Sequence, residues 1–490
     1  VFSKFPFENY TFMVSGLVVL FFSPNSLDAF NYPKQLVLIC GSIIILTFFI
    51  FSKPNFSSLT ASRLVFPITV FLFVTVLGLS AVSHGLSNRQ ILYGTFSRAN
   101  GFLTYLGFGI IALVLYFRAE ISKAKVFDKF LRLMTWTYAF LASYCLLQFL
   151  NFDPIDWNNP YTRVIGTFGN PNFASAGLAI LFLLNLYYLF NTRNFVIRLA
   201  IFIAQIISLF LVYQTKSIQG LFVIGIGFEI LALILLWHVL KKIWLRFAVV
   251  FFTIIANILI ALGVFGLGPF GRSLYQYTLQ VRLEYWKIAV RMVKDYPILG
   301  VGNDSYGDFF RLYRSKEFVD IYGPNLFTNN AHNSFLQIGA TTGFLALILY
   351  ITIVAITTFA AFVVIRRVTT ESLVRKDIKL ILCNFETYLV MAWVSATAQL
   401  LVSIDQIGVS ILWWCLTTLI NVKAWQHNRE TDSEPSNNPP KSARRKRIKV
   451  VAYRRGHPIE GFSGFVFFLT FALLASIPLG LQVREDWALK

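Results

Sequence analysis

The chain has 490 residues, 56% of them hydrophobic, and a mean hydropathy of +0.65. No water-soluble core needs that much apolar surface, so the composition excludes an ordinary soluble globular protein and indicates a polytopic membrane protein. The net charge of +20 would suggest nucleic-acid binding in a soluble protein, but its distribution here follows membrane topology, and we expect no nucleic-acid partner.

Apolar runs of membrane length recur along nearly the whole chain. They predict an all-α polytopic membrane protein with about 12–13 transmembrane helices and one large extracytoplasmic loop. The first run lacks a small-residue cleavage site and a strongly basic start, so we interpret it as a retained span rather than a signal peptide. The predicted spans cover residues 10–23, 35–51, 64–83, 102–117, 130–150, 171–190, 195–213, 217–236, 246–266, 334–365, 380–402, 405–422 and 462–482.

Two long polar stretches interrupt these runs and divide the chain into regions. We predict an N-terminal transmembrane region of about nine helices (1–266), an extracytoplasmic loop with an amphipathic helix (267–331), C-terminal transmembrane helices (332–423), a cytoplasmic basic linker (424–461), and a last helix with its tail (462–490). The basic run at 441–455 has two readings: contact with anionic lipid or a cytoplasmic partner, or a topology anchor.

The distribution of positive charge fixes the predicted orientation. With a cytoplasmic N-terminus, the inner segments hold 28 of the 43 Lys and Arg residues, as the positive-inside rule requires. Five polar residues then stand out on the outer side, where short loops carry little charge: Arg98, Arg163, Lys216, Arg282 and His332.

Three of these cations lie in short outer segments. Arg98 precedes an apolar run in "GTFSRANGFLTYLGF" (94–108), and Lys216 lies in the turn "VYQTKSIQG" (212–220). In "RVIGTFGNPNFASAG" (163–177), a helix cap explains the Asn-Pro pair but leaves Arg163 and Asn172 unexplained. A single cation near the membrane surface needs only contact with water and can be structural. Four or five cations around one outer cavity would instead suit a lipid-linked polyanion as ligand.

The stretch "VRLEYWKIAVRMVKDYPILGVGNDSYGDFF" (281–310) begins with a helical period that puts Arg282 on the apolar face. There its guanidinium either grips a phosphate or carboxylate through two hydrogen bonds or, from the first turn, reaches water. Pro297 should end this helix. Gly300 and Gly302 permit tight turns that either aim N–H groups at an anion or serve only as turns.

His332 lies in "NNAHNSFLQIGATTGF" (329–344), where the polar loop gives way to an apolar run. Its neutral form is well populated at neutral pH, so it is either a base or a structural histidine. Asn333 and Ser334 either orient it or only cap the next helix. Glu229, inside an apolar run, favours a transport function.

Taken in order, "RVIGTFGNPNFAS", a short polar turn, "R…W…DYPILGVGNDSY" and "AHNSFLQIGATTGF" resemble the O-antigen ligase and polysaccharide polymerase superfamily. Those proteins are bacterial inner-membrane glycosyltransferases with about twelve spans and one large periplasmic loop. The resemblance covers roughly residues 94–423 and rests most on "PILGVG" followed about thirty residues later by "HNSFLQ".

The resemblance implies transfer of a glycan from undecaprenyl diphosphate to an acceptor hydroxyl without a metal or other cofactor. It implies that His332 is the key catalytic residue, that Arg282 engages the diphosphate, and that Arg163 is the arginine of the "GTFGNPN" segment. One departure is in the turn "KSIQ", where many relatives carry Ser-Arg: Ile218 stands in place of that arginine, and Lys216 offers a point charge without the planar fork.

We therefore predict a GT-C-like lipid-linked glycan transferase in the bacterial inner membrane, with its site facing the periplasm. His332 and Arg282 are the predicted catalytic residues. The predicted partners are an undecaprenyl-diphosphate-linked glycan donor, a hydroxyl-bearing glycan or lipid acceptor, and membrane lipid. Ligation, polymerisation and transfer to protein stay open, and so does a transporter or flippase of a lipid-linked sugar. The residues predicted to bind the diphosphate or glycan are Arg163, Lys216, Arg98, Asn172, Asn333, Gly300 and Gly302.

Overall fold

A computed structural model describes residues 6–54, 60–122, 125–157, 159–160, 162–274 and 277–426. Within those ranges the regular structure is helical, without strands. The basic run at 441–455 and the span predicted at 462–482 lie outside the described residues.

The helices, numbered along the chain, are α1 (Phe7–Leu20), α2 (Asn31–Phe51), α3 (Ala61–Ser83), α4 (Arg89–Tyr93), α5 (Phe102–Ser122), α6 (Lys125–Phe149), α7 (Pro171–Asn191), α8 (Phe195–Gln214), α9 (Ile218–Val239), α10 (Ile243–Val264), α11 (Gly271–Leu274), α12 (Tyr277–Asp295), α13 (Tyr306–Tyr313), α14 (Lys316–Tyr322), α15 (Ser334–Thr342), α16 (Phe344–Arg375), α17 (Lys379–Leu382), α18 (Phe385–Leu400) and α19 (Ile407–Gln426). A single 3-10 turn, Gly166–Phe168, precedes α7.

Ten of these helices are long and apolar enough to cross a membrane, so the chain is an all-α, multi-pass membrane protein. Two predicted spans fall on shorter helices: α1 has 14 residues and α18 has 16. At 1.5 Å per residue they measure about 21 and 24 Å, less than the roughly 30 Å of a hydrocarbon core. Most of their residues are buried among other helices rather than facing lipid.

The end of α1 is fixed by a buried lysine. The Nζ of Lys34 donates 2.8 Å hydrogen bonds to the carbonyls of Val19 and Phe21, which lie at the C-terminal end of α1. The hydroxyl of Thr167 adds a 2.7 Å bond to the Val19 carbonyl. These donors satisfy carbonyls that a helix end leaves without partners. The apolar pattern predicted an end at residue 23. The helix instead ends at Leu20, where these donors meet its carbonyls.

The bundle has a buried centre and a sparsely packed edge. Helix α19 is the most enclosed, with 94% of its most apolar window buried. At the opposite extreme is α10: among its 22 residues, all described, only Gly263 is buried. Lipid therefore covers almost the whole of α10.

The predicted single span at 334–365 is wrong, because the helix is interrupted at Gly343, between α15 and α16. Gly343 has φ +90, a conformation that L side chains rarely adopt, and a Cβ there would lie 2.1 Å from the carbonyl oxygen of Ile298. The next amide, that of Phe344, donates to the carbonyl of Pro297 at 2.7 Å. The break thus forms where the large outer loop packs against the end of α15.

Candidate functional site

The long loop predicted at 267–331 has a small hydrophobic core of its own, which brings two predicted site elements together. Tyr285, Ala289 and Met292 of α12 pack with residues of α13 and α14 and with Ala331 and Ala340 on either side of the α15 N-terminus. On the opposite face of α12, Lys287 and Arg291 are both exposed. The amphipathic pattern therefore fixes α12 beside the segment that carries His332.

His332 occupies a constrained turn at the start of α15. Its φ is +54, and its amide donates to the side chain of Asn330 at 2.9 Å. Asn333 caps the helix, because its Oδ1 accepts from the amides of Phe335 and Leu336 at 3.0 and 3.1 Å. The His332 ring lies 5.7 Å from the Tyr285 ring, centroid to centroid. The side chains of Asn330 and Asn333 thus fix the backbone conformation around His332, and the Tyr285 ring restricts the orientation of the imidazole.

Two arginines bring positive charge close to His332. Burial lowers the pKa of His332 most, and the charges of Arg282 and then Arg98 lower it further, to about 3. The Nε of Arg98 donates to Asn329 Oδ1 at 3.1 Å, which ties it to the segment just before His332. The imidazole is therefore neutral at physiological pH and lies among groups that attract an anion.

Arg282 is anchored to the turn between α18 and α19. Its Nη1 donates to the carbonyl of Val402, so the guanidinium does not simply reach water. Burial lowers the pKa of Arg282. The next residue of that turn, Ser403, accepts from the Ser334 hydroxyl at 3.4 Å and donates to Gln219 Oε1 at 3.3 Å. Residues 401–406 thus join α12, α15 and the start of α9.

The same turn contains a buried carboxylate to which sequence reasoning gave no role. Asp405 accepts from the hydroxyls of Tyr105 at 2.7 Å and Ser410 at 3.2 Å, and its carbonyl accepts from Asn100. Burial raises the pKa of Asp405. The only sequence signal was a polar "SIDQ" between two apolar runs.

A second acid missed from the sequence is Asp304, which follows the glycine loop. Its Oδ2 accepts from the amide of Thr95 at 2.7 Å, and its carbonyl accepts from the Thr95 hydroxyl at 2.8 Å. Burial raises the pKa of Asp304 to about 7 against the lowering effect of these bonds and of Arg98. Asp304 thereby fastens the large loop to the short segment that carries Arg98.

Gly300 and Gly302 pack rather than present amides. Both have positive φ, and a Cβ on Gly300 would lie 2.3 Å from the carbonyl carbon of Thr341. The Gly300 amide donates to Tyr296 at 3.2 Å, and the Gly302 amide donates to Thr341 at 2.9 Å. Both amides are already paired within the protein, and the glycines permit close approach to α15.

Arg163, Lys216 and Asn172 belong to a neighbouring group. Asn172 Oδ1 accepts from the Ser217 hydroxyl at 2.7 Å, which joins the start of α7 to the turn before α9. Arg163 and Lys216 are both exposed, and Lys216 has φ +57 with its Nζ 5.0 Å from the Tyr213 ring.

Two further contacts place this group. The hydroxyl of Thr162, adjacent to Arg163 in sequence, donates to the carbonyl of Gln214 at 3.1 Å, so the Arg163 segment lies beside the Lys216 turn. Gln219 then links that turn to Ser403 and so to the first group. Ile218 begins α9 and is 57% exposed, and its apolar side chain supplies no charge to this turn.

Glu229, the residue that favoured transport, lies away from these contacts. Its Oε1 accepts from the side-chain amide of Asn257, so α9 and α10 share a polar pair inside the membrane region. Within the described part of the chain, no group of three or more His, Cys, Asp or Glu side chains is arranged to hold a metal ion.

The membrane-length helices define a multi-pass membrane protein, and its longest polar loop brings a histidine and two arginines together. A family model described as O-antigen ligase matches residues 178–351, the region from α7 to α16 that includes Lys216, Arg282 and His332. The match covers about a third of the chain and supports the expected resemblance to the superfamily of O-antigen ligases and polysaccharide polymerases. No curated protein matches the chain significantly.

Proposed function

We propose that the protein transfers a glycan from undecaprenyl diphosphate to an acceptor hydroxyl at the periplasmic face of the bacterial inner membrane. The observation that carries the proposal is the neutral His332 beside Arg282 and Arg98. A base and two cations suit a reaction in which a hydroxyl loses a proton while an anionic leaving group departs.

In the proposed step, the acceptor oxygen attacks the anomeric carbon and forms the new glycosidic bond. The bond from that carbon to the diphosphate oxygen breaks, and the configuration at the carbon inverts. His332 takes the hydroxyl proton, a contribution of roughly 10²–10⁴ in rate. The diphosphate is already a good leaving group, so the step needs no general acid, and Arg282, Arg98 and Arg163 stabilise its charge.

The electrostatics link donor binding to the base. In the free protein the two arginines help to hold the pKa of His332 near 3, where an imidazole is a weak base. A bound diphosphate offsets their charge and raises that pKa toward the range in which proton transfer is efficient. His332 thus becomes an effective base only when the donor is present.

The test is glycan transfer in membranes that contain His332→Ala, with His238→Ala as the matched control. His238 bonds to Ser372 at 2.8 Å, away from the site, so its replacement should leave transfer unchanged. We expect His332→Ala to lose roughly 10²-fold or more in rate. Wild-type transfer by a folded His332→Ala protein would remove the base from the mechanism. Inhibition of the wild type by EDTA would remove the proposed metal independence.

The alternative is a transporter or flippase that moves a lipid-linked sugar without forming a bond. Such a protein would be expected to pair charges inside the membrane, but the partner of Glu229 is the neutral amide of Asn257. Reconstituted protein separates the two functions, because only a transferase yields glycan covalently joined to the acceptor. The acceptor in that product then distinguishes ligation, which joins the glycan to a lipid anchor, from polymerisation, which joins it to another repeat unit.

A further inference from the structure

Four aromatic side chains cluster at the outer end of the bundle: Phe22, Phe30, Tyr144 and Trp157, here called the aromatic platform. Phe22 stacks on Tyr144 with centroids 5.2 Å apart. Trp157 lies 5.7 Å from Phe22 and 4.7 Å from Phe30. All four residues are half-buried, so none of them is sealed inside the core. Neither the proposed reaction nor the family motifs use these residues.

A carboxylate holds the platform in place. Asp153 Oδ2 accepts from the Tyr144 hydroxyl at 2.9 Å and from Trp157 Nε1 and Gln148 Nε2 at 3.1 Å. Because the polar atoms of Tyr144 and Trp157 are occupied, what they offer a ligand is ring surface. Fixed aromatic rings bind groups with apolar C–H faces at little entropic cost, and a pyranose sugar has such faces.

The platform adjoins the Arg98 segment. Asn31, the residue after Phe30, donates from its side chain to the carbonyl of Ser97 at 2.7 Å. The Asp28 carboxylate accepts from the Asn31 amide at 2.9 Å. Burial lowers the pKa of Arg98, and the negative charges of Asp304 and then Asp28 oppose that lowering. Phe30 therefore lies close in space to the segment that carries Arg98, the second arginine near His332.

The platform also adjoins the Arg163 segment. Trp157 precedes Arg163 in the same outer loop. Gly169, which follows that loop, packs so closely on Phe30 that a Cβ would lie 2.1 Å from the ring. The platform therefore lies against both the segment that carries Arg98 and the loop that carries Arg163.

We propose that the aromatic platform is a saccharide subsite, which binds a sugar ring of the lipid-linked glycan by stacking. This inference rests on the proposed function, since it assigns the sugar of the same donor. The competing explanation is an aromatic belt that anchors the loop in the membrane interface. Phe152 separates the two, because it is 71% exposed in the same loop and would serve a belt better than the platform.

The test uses two probes with purified protein in lipid nanodiscs. One is the glycan released by mild acid from the lipid-linked pool of cells that lack this protein, and the other is sugar-free undecaprenyl diphosphate. We expect Trp157→Ala and Phe30→Leu to weaken binding of the released glycan by about three- to tenfold and to leave binding of undecaprenyl diphosphate unchanged. Arg98→Gln should weaken binding of undecaprenyl diphosphate more than binding of the released glycan. Phe152→Ala should change the binding of neither probe.

Trp157→Phe keeps a ring but loses the bond to Asp153, so it should retain more glycan binding than Trp157→Ala if stacking matters. Equal weakening of both probes, or an effect of Phe152→Ala as large as that of Trp157→Ala, would overturn the subsite. Normal glycan binding and transfer by Trp157→Ala would also overturn it while leaving the proposed reaction intact. Absence of transfer and of diphosphate binding in the wild type would instead refute the proposed function.

Discussion

Replacing Arg282 with glutamine should shift the pH dependence of transfer to higher pH. The causes of the lowered His332 pKa set an upper limit on that shift. The change removes the bond to the Val402 carbonyl and one of the two positive charges near His332. Loss of a hydrogen bond from a charged group costs about 1.5–3 kcal/mol. The second effect is more diagnostic, because without that charge protonated His332 is less disfavoured.

The upper limit on the shift follows from the relative size of the effects that lower the pKa of His332. The pKa of His332 falls from its ordinary 6.5 to about 3, a gap worth roughly 5 kcal/mol. Burial is the largest cause of the fall, followed by Arg282 and then Arg98, so Arg282 accounts for no more than half of it. In Arg282→Gln the pKa should therefore rise, but to no higher than about 5.

The measurement is the transfer rate at low donor concentration between pH 3.5 and 8, which reports the ionisation of the free protein. The wild type should show no acid limb from His332 above about pH 4, whereas Arg282→Gln should show one at higher pH. Arg282→Lys keeps the charge and is the matched control, with its limb unmoved. At saturating donor the wild-type limb should shift upward, because the diphosphate offsets the arginines. An acid limb near 6.5 in the free wild-type protein, or identical limbs in all three proteins, would refute the reasoning.

Three further changes have defined outcomes. Gly343→Ala forces a Cβ at φ +90 against the Ile298 carbonyl, and should destabilise the protein by about 2 kcal/mol or more, measured as a lower melting temperature in nanodiscs; unchanged melting would contradict the break assigned there. Glu229→Leu removes the bond to Asn257 and should weaken the attachment of α10 by about 0.6–2 kcal/mol, while Glu229→Gln should not; spin labels on α10 report this through increased mobility, and equal mobility in both variants would rule out the pair as a tether. Unfolded His332 gains a proton below about 6.5 and folded His332 only below about 3, so wild-type stability falls as pH drops through that window; His332→Gln should lose less stability there, and a parallel loss would contradict the lowered pKa of His332.

The helical framework was accessible from the sequence because its determinants are local. The start of α7 was predicted from a cap and a proline, and Asn170 does accept from the Asn172 amide at 2.9 Å just before Pro171. The break at Gly343 was not predicted, since a glycine in an apolar run is compatible with an unbroken span. Its cause is contact with Ile298, which hydropathy cannot reveal.

The site shows the same division between local and distant causes. The helical period placed Arg282 on the inner face of α12, and the family motifs grouped it with His332, which the structure brings near it. Its partner is a backbone carbonyl 120 residues away, at Val402, and any residue there would present the same group. Asp304 and Asp405 were missed because their importance comes from burial, and a single acidic residue in a loop carries no pattern.

The exposure of α10 makes the bilayer a structural component of the enzyme. With Gly263 as its one buried residue, this helix takes its position from surrounding acyl chains and from the pair between Glu229 and Asn257. Its far end meets the loop through Phe265 and Trp286, whose rings are 5.8 Å apart, one turn beyond Arg282 on α12. The detergent or lipid that surrounds the extracted protein should therefore influence the position of Arg282, and activity lost in detergent should return when native lipid is restored.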